Sequence, residues 1–223
     1  VERKQAARAL ARFMRLHPHN IGQKTEVMVE HFQQHTRHKI GGQAKAMVVT
    51  GSRLEAVRYK LEFDRYIHEK GYPIKSLVAF SGTVADDKMP DKNYTEVEMN
   101  NGLKEKDLPE TFAKSDYRVL LVAEKYQTGF DQPLLHTMYV DKRLAGIQAV
   151  QTLSRLNRTH PLKDDTFVLD FVNDPAEIQE AFRQYYDGLV MGEEVDPDRM
   201  YEVQAELDGS GIYLQDEVDE FSR

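Results

Sequence analysis

Five short apolar runs, each bounded by turn residues, alternate along the chain with segments that favour helix. The runs are Lys45–Thr50, Ser76–Phe80, Tyr117–Ala123, Thr137–Val140 and Thr166–Phe171. They lack the period-two alternation of a strand with one solvated face, so we expect both faces of each strand to be buried. Buried strands that alternate with helices form a parallel sheet. The pattern predicts an α/β fold, a three-layer α/β/α domain with a mostly parallel sheet.

Helical patterns and loops fill the spaces between these strands. We expect helices over residues 3–16, 22–38, 53–70, 108–114, 145–158 and 175–189. Residues 84–107 are polar, contain Pro90 and are predicted to be a loop with room for one short helix. We divide the chain into a helical N-terminal extension (1–40), the sheet domain (41–190) and an acidic C-terminal extension or the start of a further domain (191–223).

Charge is distributed unevenly along the chain. The net charge is −7, but residues 161–223 hold 18 acidic and 4 basic residues, which leaves residues 1–160 with a net charge of +7. A basic body suits an anionic partner, although a solvated acidic C-terminus without function explains the same asymmetry. No apolar run is long enough to cross a membrane. The absence of cysteine excludes disulfides and fits a cytoplasmic protein.

The N-terminus begins Val-Glu-Arg-Lys, without an initiator methionine or the apolar core of a signal peptide. We therefore expect the chain to be part of something longer.

Two arginines lie three residues apart in the run Gln151-Thr152-Leu153-Ser154-Arg155-Leu156-Asn157-Arg158. On the predicted helix they share one face and can point at one anion. Guanidinium groups suit phosphate oxygens, whereas a solvated surface pair is the competing interpretation. The chain contains no G-x-x-x-x-G-K-[ST] phosphate loop. The pair is therefore predicted to be half of a nucleotide site.

Small polar turns follow the predicted strands. They are Thr50–Arg53, Ser81–Thr83 and Thr128–Asp131. Ligands of a parallel sheet bind beyond the carboxyl ends of its strands, and small residues at a helix N-terminus favour an anion. Ordinary capping of a helix by Ser52 is the competing interpretation of the first turn. We expect all three turns and the arginine helix to lie at one edge of the sheet.

In this order, the segments resemble the second RecA-like lobe of superfamily-two helicases and translocases. The family's motif IV resembles Met47–Arg53, and its motif V resembles Leu120–Asp131. Its motif VI, Gln-x-x-Gly-Arg-x-x-Arg, resembles Gln151–Arg158, with Ser154 in place of the glycine. The resemblance implies a RecA-like fold.

Over residues 40–175 the chain more closely resembles the motor (R) subunit of type I restriction enzymes. Leu121–Leu135, Tyr139–Lys142 and Leu153–Arg158 carry this resemblance. It implies an ATP-dependent DNA translocase and endonuclease, active as part of the full subunit in a bacterial or archaeal cytoplasm. The isolated chain is expected to be inactive, because it lacks the phosphate loop and the Asp-Glu-x-His box.

The resemblance also assigns roles to individual residues. Arg158 is implied to be the arginine finger on the γ-phosphate, Arg155 its partner on the phosphates or on the first lobe's acidic motif, and Gln151 the residue that orients them. Gly129 and Asp131 are implied to meet the ribose side of the nucleotide. The residues implied to track the DNA backbone are Thr50, Ser52, Arg53, Ser81, Gly82 and Thr128.

The implied ligands are ATP and Mg²⁺, held mainly by a first RecA-like lobe that this chain does not contain. The implied partners are double-stranded DNA, the first lobe and nuclease domain of the same subunit, and the modification and specificity subunits, with no membrane. Two alternatives remain open: the second lobe of another superfamily-two helicase or remodeller, and a non-catalytic subunit-docking module. No metal site is expected, and His31, His35 and His38 are predicted to face solvent.

Overall fold

Five parallel strands form the centre of the protein in a computed structural model that describes residues 2–126 and 130–190. They are β1 (Lys45–Thr50), β2 (Lys75–Ala79), β5 (Tyr117–Val122), β6 (Leu135–Asp141) and β7 (Phe167–Asp170), in the spatial order β2-β5-β1-β6-β7. The remaining strands, β3 (Thr83–Asp86) and β4 (Met89–Thr95), pair only with each other among the described residues. The predicted α/β fold class, with its mostly parallel sheet, is confirmed.

Eight α-helices surround these strands in the described part of the chain. They are α1 (Glu2–Arg15), α2 (Pro18–His31), α3 (Lys39–Gly42), α4 (Arg53–Lys70), α5 (Glu96–Met99), α6 (Leu108–Ala113), α7 (Ile147–Leu153) and α8 (Pro175–Val190). Local signals set their ends. Pro18 starts α2, where its missing N–H costs nothing. Ser52 Oγ accepts the Glu55 N–H to cap α4, and Gly71 ends that helix in the left-handed conformation.

The sheet is buried on both faces because successive side chains point in opposite directions. One core cluster joins α2 and α4 to the face that carries Ala46, Val48, Val78, Val119, Leu121 and Tyr139. The other joins α6, α7 and the start of α8 to the face that carries Met47, Val49, Leu77, Leu120, Val122 and Met138. This arrangement explains why the strands read as continuous apolar runs.

The contacts between residues group the chain into two compact units, Val1–Phe182 and Arg183–Arg223. Within the first unit, Met28 and Val29 of α2 are fully buried in the same core as β1, so this helix packs against the sheet. Of the second unit, only the end of α8 is described, where the rings of Tyr185 and Tyr186 meet edge to face. The predicted boundaries at residues 40 and 190 remain predictions. In the described ranges, no helix is long and apolar enough to cross a membrane.

The prediction of a loop over residues 84–107 is wrong for its first half. Residues 83–95 form the antiparallel hairpin β3–β4, with an irregular register beside Asp86. Arg58 on α4 donates from Nε to Asp86 Oδ2 at 2.9 Å, in a largely buried pair that attaches the hairpin to the domain. This tertiary contact leaves no periodic signal in the sequence. The expected short helix is α5, and a 3₁₀ turn follows at Glu105–Asp107.

Two predicted helices also change character before their ends. The helix expected over 22–38 is α2 followed by a π-helical turn, Phe32–Thr36. The helix expected over 145–158 stops at Leu153, continues as a 3₁₀ turn over Ser154–Asn157, and leaves Arg158 in extended conformation. The prediction that Arg155 and Arg158 share one face of an α-helix is therefore wrong.

Truncation of the central core should be costly. Leu120 on β5 is fully buried, so Leu120→Ala should lower the free energy of unfolding by about 2–5 kcal/mol through lost burial and a residual cavity. Leu61→Ala is the matched control, because Leu61 is 43% exposed on α4 and its change should stay within about 0.5 kcal/mol. Urea unfolding measures both. Equal losses in the two variants would contradict the assigned core.

Candidate functional site

The turn after β1 is built around a buried carboxylate. Glu55 accepts the Gly51 N–H at 2.9 Å, and a Cβ on Gly51 would lie 2.8 Å from that carboxylate, which is why glycine fits here. Burial raises the pKa of Glu55, opposed by Arg15 and by the Gly51 N–H. Ser52 acts as the helix cap. Thr50 is fully buried and donates to the Val122 carbonyl at 3.0 Å, so its predicted contact with DNA would require the hydroxyl to leave this bond.

Arg53 connects the turn after β1 to the turn after β2. Its guanidinium donates to the Ser81 carbonyl at 2.9 Å. Gly82 has a φ of +74°, and a Cβ there would lie 3.2 Å from the same guanidinium. Ser81 and Gly82 are thus brought against Arg53 on an exposed surface, next to Ser52. Four of the residues predicted to contact DNA, namely Ser52, Arg53, Ser81 and Gly82, lie close together.

The two arginines of the predicted motif VI hold one loop. Arg155 donates to the Phe130 carbonyl at 2.9 Å, and Arg158 Nε lies 3.1 Å from Asp131 Oδ1. The pair Arg158–Asp131 is open to solvent, with 57% and 70% of the side chains exposed. Gln151 lies exposed on α7, one helical turn before Arg155. The structure therefore places Phe130 against Arg155 and Asp131 against Arg158.

The expectation that all four segments share one sheet edge is wrong. Helix α7 follows the carboxyl end of β6 and leads the chain back toward the amino ends of the strands. Lys163 Nζ donates to the carbonyls of Leu156 and Arg158, and it also reaches the Pro133 carbonyl, two residues before β6 begins. The arginine pair is thus close to the amino end of β6, whereas Arg53 and Ser81 follow the carboxyl ends of β1 and β2. Thr128 and Gly129 lie outside the described residues.

A lysine that the sequence reasoning missed anchors the loop after β5. Lys125 Nζ lies 2.8 Å from Glu96 and 2.8 Å from Glu105. Burial alone lowers the pKa of Lys125, but the hydrogen bonds that Lys125 donates to Glu105 and Glu96 outweigh it, and the pKa is raised. Glu96 also accepts the Phe80 N–H at 2.8 Å. One carboxylate thus joins the turns after β2 and β5.

The backbone on either side of Lys125 is strained. Glu124 and Tyr126 have φ values of 56° and 60°, a region that costs a side-chain-bearing residue on the order of 1–2 kcal/mol. Such outliers persist only where surrounding contacts over-determine them, and they concentrate at functional sites. The only signal available in the sequence was the position of Lys125 within the predicted motif V.

The histidines near the amino ends of β6 and β7 differ in exposure. As predicted, His35 and His38 are exposed. His31 is half-buried: its Nδ1 lies 2.9 Å from the Tyr139 hydroxyl and its ring stacks on Phe167. The prediction that His31 faces solvent is therefore wrong. No cluster of three or more metal-ligating side chains occurs among residues 2–126 and 130–190.

Comparison with known proteins places the chain in a family. Residues 87–173 match the T1R_D3-like family, described as type I restriction enzyme subunit R domain 3. The type I restriction enzyme MjaIXP endonuclease subunit of Methanocaldococcus jannaschii is 31% identical over 162 residues, covering 71% of this chain. The MjaVIIP endonuclease subunit of the same organism is 30% identical over 70% of the chain. The chain belongs to the family of type I restriction enzyme endonuclease subunits.

Within this family the chain corresponds to a short part of a long protein. It spans 14% and 15% of the lengths of the MjaIXP and MjaVIIP endonuclease subunits. Among solved structures it is similar to the ATP-dependent Type ISP restriction-modification enzyme LlaBIII bound to DNA, with a TM-score of 0.42 and 15% identity. That similarity covers 74% of this chain and 11% of LlaBIII. The R-subunit domain 3 match contains Glu96, Lys125, Asp131, Arg155 and Arg158.

The stability of this endonuclease-subunit segment should fall as the pH falls below neutrality. Burial, and then the nearby His35 and His136, lower the pKa of His31. The folded state thus binds this proton less readily than the unfolded state. The stability that the neutral ring contributes is present above about pH 6.5 and is lost as the pH falls toward the folded-state pKa. Urea unfolding at a series of pH values measures this slope.

The variant His31→Gln should flatten that slope, since glutamine keeps a hydrogen-bonding group beside Tyr139 without titrating. His68→Gln is the control, because His68 is exposed on α4 and its replacement should leave the slope as in the wild type. An unchanged slope in His31→Gln would show that His31 is not the titrating group.

Proposed function

We propose that this chain is the second motor lobe of an ATP-dependent DNA translocase within a type I restriction endonuclease. The observation that carries the proposal is the pair Arg155 and Arg158, held by one loop through Phe130 and Asp131, in a member of this family. The lobe supplies an arginine finger and contacts to the DNA backbone. The first lobe, with its phosphate loop, supplies the rest of the ATP site.

The two arginines differ in how firmly they are held, and this difference supports distinct roles. Arg158 makes an exposed pair with Asp131, and exposed ion pairs contribute little, so a phosphate group can compete for this guanidinium. Arg155 is more buried, and burial lowers its pKa, followed by repulsion from Arg158. We assign Arg158 to the γ-phosphate, Arg155 to fixing the loop beside it and Gln151 to orienting both. The ribose hydroxyls fall to Asp131, and to Gly129 by family resemblance.

The proposed DNA contacts come from the carboxyl ends of the strands, whereas the arginine pair lies near their amino ends. Ser52, Arg53, Ser81 and Gly82 present a guanidinium and three small residues together, which suits a phosphate backbone. Thr50 and Thr128 are assigned here by family resemblance. Contacts to the backbone carry little sequence information, as a motor that crosses any sequence requires. ATP hydrolysis supplies the free energy for closing and opening the two lobes, which moves the subunit along DNA.

The remaining parts of the proposed machine lie beyond this chain. We assign ATP and Mg²⁺ mainly to the first lobe, DNA cleavage to a nuclease domain of the same subunit, and sequence recognition to the modification and specificity subunits. The chain's share is then the arginine pair and a DNA-backbone surface.

A second candidate, a subunit-docking module, is favoured by helix α1. Leu10, Phe13 and Met14 lie at helical spacing and are all more than half exposed. Such a stripe suits a protein partner. The two functions separate by their dependence on nucleotide: a docking module binds partner subunits with or without ATP, whereas a motor lobe changes its contacts when ATP binds.

Removal of the proposed finger should abolish ATP turnover. In the full endonuclease subunit, Arg158→Ala should lower the ATPase rate by roughly 10³-fold or more, since an arginine finger stabilises charge in the transition state. The thermal midpoint should stay close to that of the wild type because the side chain is exposed. Arg143→Ala is the control: Arg143 is equally exposed, pairs with Glu177 and should leave turnover intact. Turnover that survives Arg158→Ala would show that the finger assignment is wrong.

The isolated chain should hydrolyse no ATP and cut no DNA, because the proposed ATP site is shared with a missing lobe. Phosphate release and plasmid nicking by residues 1–223 measure this, with the full subunit as the positive control. ATPase activity of the pure fragment that is lost in the fragment's Arg158→Ala variant would contradict the shared-site proposal.

A further inference from the structure

We propose that the buried ion pair Lys125–Glu96 is a coupling element that transmits DNA binding to the loop that holds Arg155 and Arg158. The inference rests on the proposed function and adds to it a regulatory connection. Lys125 and Glu96 are positioning residues: neither is assigned to a phosphate, a ribose or the DNA backbone.

The pair lies at the centre of a continuous chain of contacts across the domain. On the DNA-facing side, Arg53 donates to the Ser81 carbonyl at 2.9 Å, and the neighbouring Phe80 N–H donates to Glu96 at 2.8 Å. Glu96 binds Lys125 through both carboxylate oxygens, at 3.0 and 2.8 Å. A movement of the turn that contains Ser81 would therefore displace the Glu96 carboxylate and, with it, the Lys125 ammonium.

The chain of contacts continues from Lys125 to the arginine pair. Tyr126, the next residue, packs its ring 4.8 Å from that of Phe130. The Phe130 carbonyl accepts from Arg155, and Asp131 holds Arg158. Every step after Lys125 is thus a direct contact or a chain neighbour among described residues. The path ends on Arg155, which fixes the loop, and on Arg158, which is assigned to the γ-phosphate.

Two properties suit this pair to transmit a movement. The side chains of Lys125 and Glu96 are only 11% and 6% exposed, so their interaction is weakly screened by salt. The residues on either side of Lys125 have positive φ, so the loop is held in this conformation by contacts rather than by local preference. In this proposal, DNA binding moves the turn that contains Ser81 and thereby changes the contacts that hold this loop.

The test measures the ATPase rate of the full endonuclease subunit with and without double-stranded DNA. Lys125→Met should lower the ratio of the DNA-stimulated to the DNA-free rate by roughly tenfold, within the range typical of coupling between sites. The DNA-free rate and the DNA dissociation constant should remain close to those of the wild type. A general structural defect would instead lower both rates together, and that outcome would overturn the inference.

Two further variants keep the test informative if Lys125→Met does not fold. Glu96→Gln retains an oxygen for the Phe80 N–H but removes the charge that holds Lys125, so it should also reduce the DNA stimulation. Glu105→Gln is the matched control. Glu105 approaches the same lysine nitrogen at 2.8 Å, but its side chain is 69% exposed and it takes no part in the bond to Phe80. Its DNA stimulation should be that of the wild type.

The outcomes separate this inference from the function on which it rests. A wild-type subunit whose ATPase is stimulated by DNA, with folded Glu96→Gln and Lys125→Met variants stimulated equally well, would overturn the coupling role alone. A wild-type subunit without ATPase activity, or without any response to DNA, would overturn the proposed motor function and the coupling role together.

Discussion

The burial of strand β1 between β5 and β6 is the constraint on which the rest of the structure depends. Every residue of Lys45–Thr50 is buried, with parallel neighbours on both sides and helices over both faces. Lys45 at its start is held by the carbonyls of Lys114 and Tyr117, and burial, followed by Arg118, lowers its pKa to about 8. Polar groups with functional potential are thereby restricted to the ends of the strands and to the loops beyond them.

This constraint divides the candidate site between the carboxyl ends and the amino ends of the parallel strands. Turns after β1 and β2 gather Arg53, Ser81 and Gly82, whereas Arg155 and Arg158 follow a helix that has returned toward the amino ends. In the proposed motor lobe, the first group is assigned to DNA and the second to the nucleotide, so the proposed function requires a connection between them. The loop after β5 is suited to that task, because it begins beside Glu96 and reaches both arginines.

The two ion pairs of the loop after β5 differ in their exposure to solvent. Arg158–Asp131 is exposed, so water and salt weaken it and a nucleotide phosphate can replace the carboxylate. Lys125–Glu96 is buried, so separating its charges is costly. The same loop therefore carries one ion pair that is easily broken, Arg158–Asp131, and one that is costly to break, Lys125–Glu96. In the proposed motor lobe, the exchangeable group is the one assigned to the nucleotide.

By itself the sequence determined the sheet, because apolar runs without alternation must be buried on both faces, and it predicted the bounds of α4, Arg53–Lys70. It also located the arginines, Asp131 and the small polar turns. Only the tertiary structure decided their partners. Hairpin β3–β4 depends on Arg58 meeting Asp86, and the termination of α7 accompanies the bonds from Lys163 to the Leu156 and Arg158 carbonyls. Lys125 is held in place by a bond to Glu96, which lies 29 positions away in the sequence. Such contacts between residues distant in sequence leave no local pattern, because burial and charge pairing act through space.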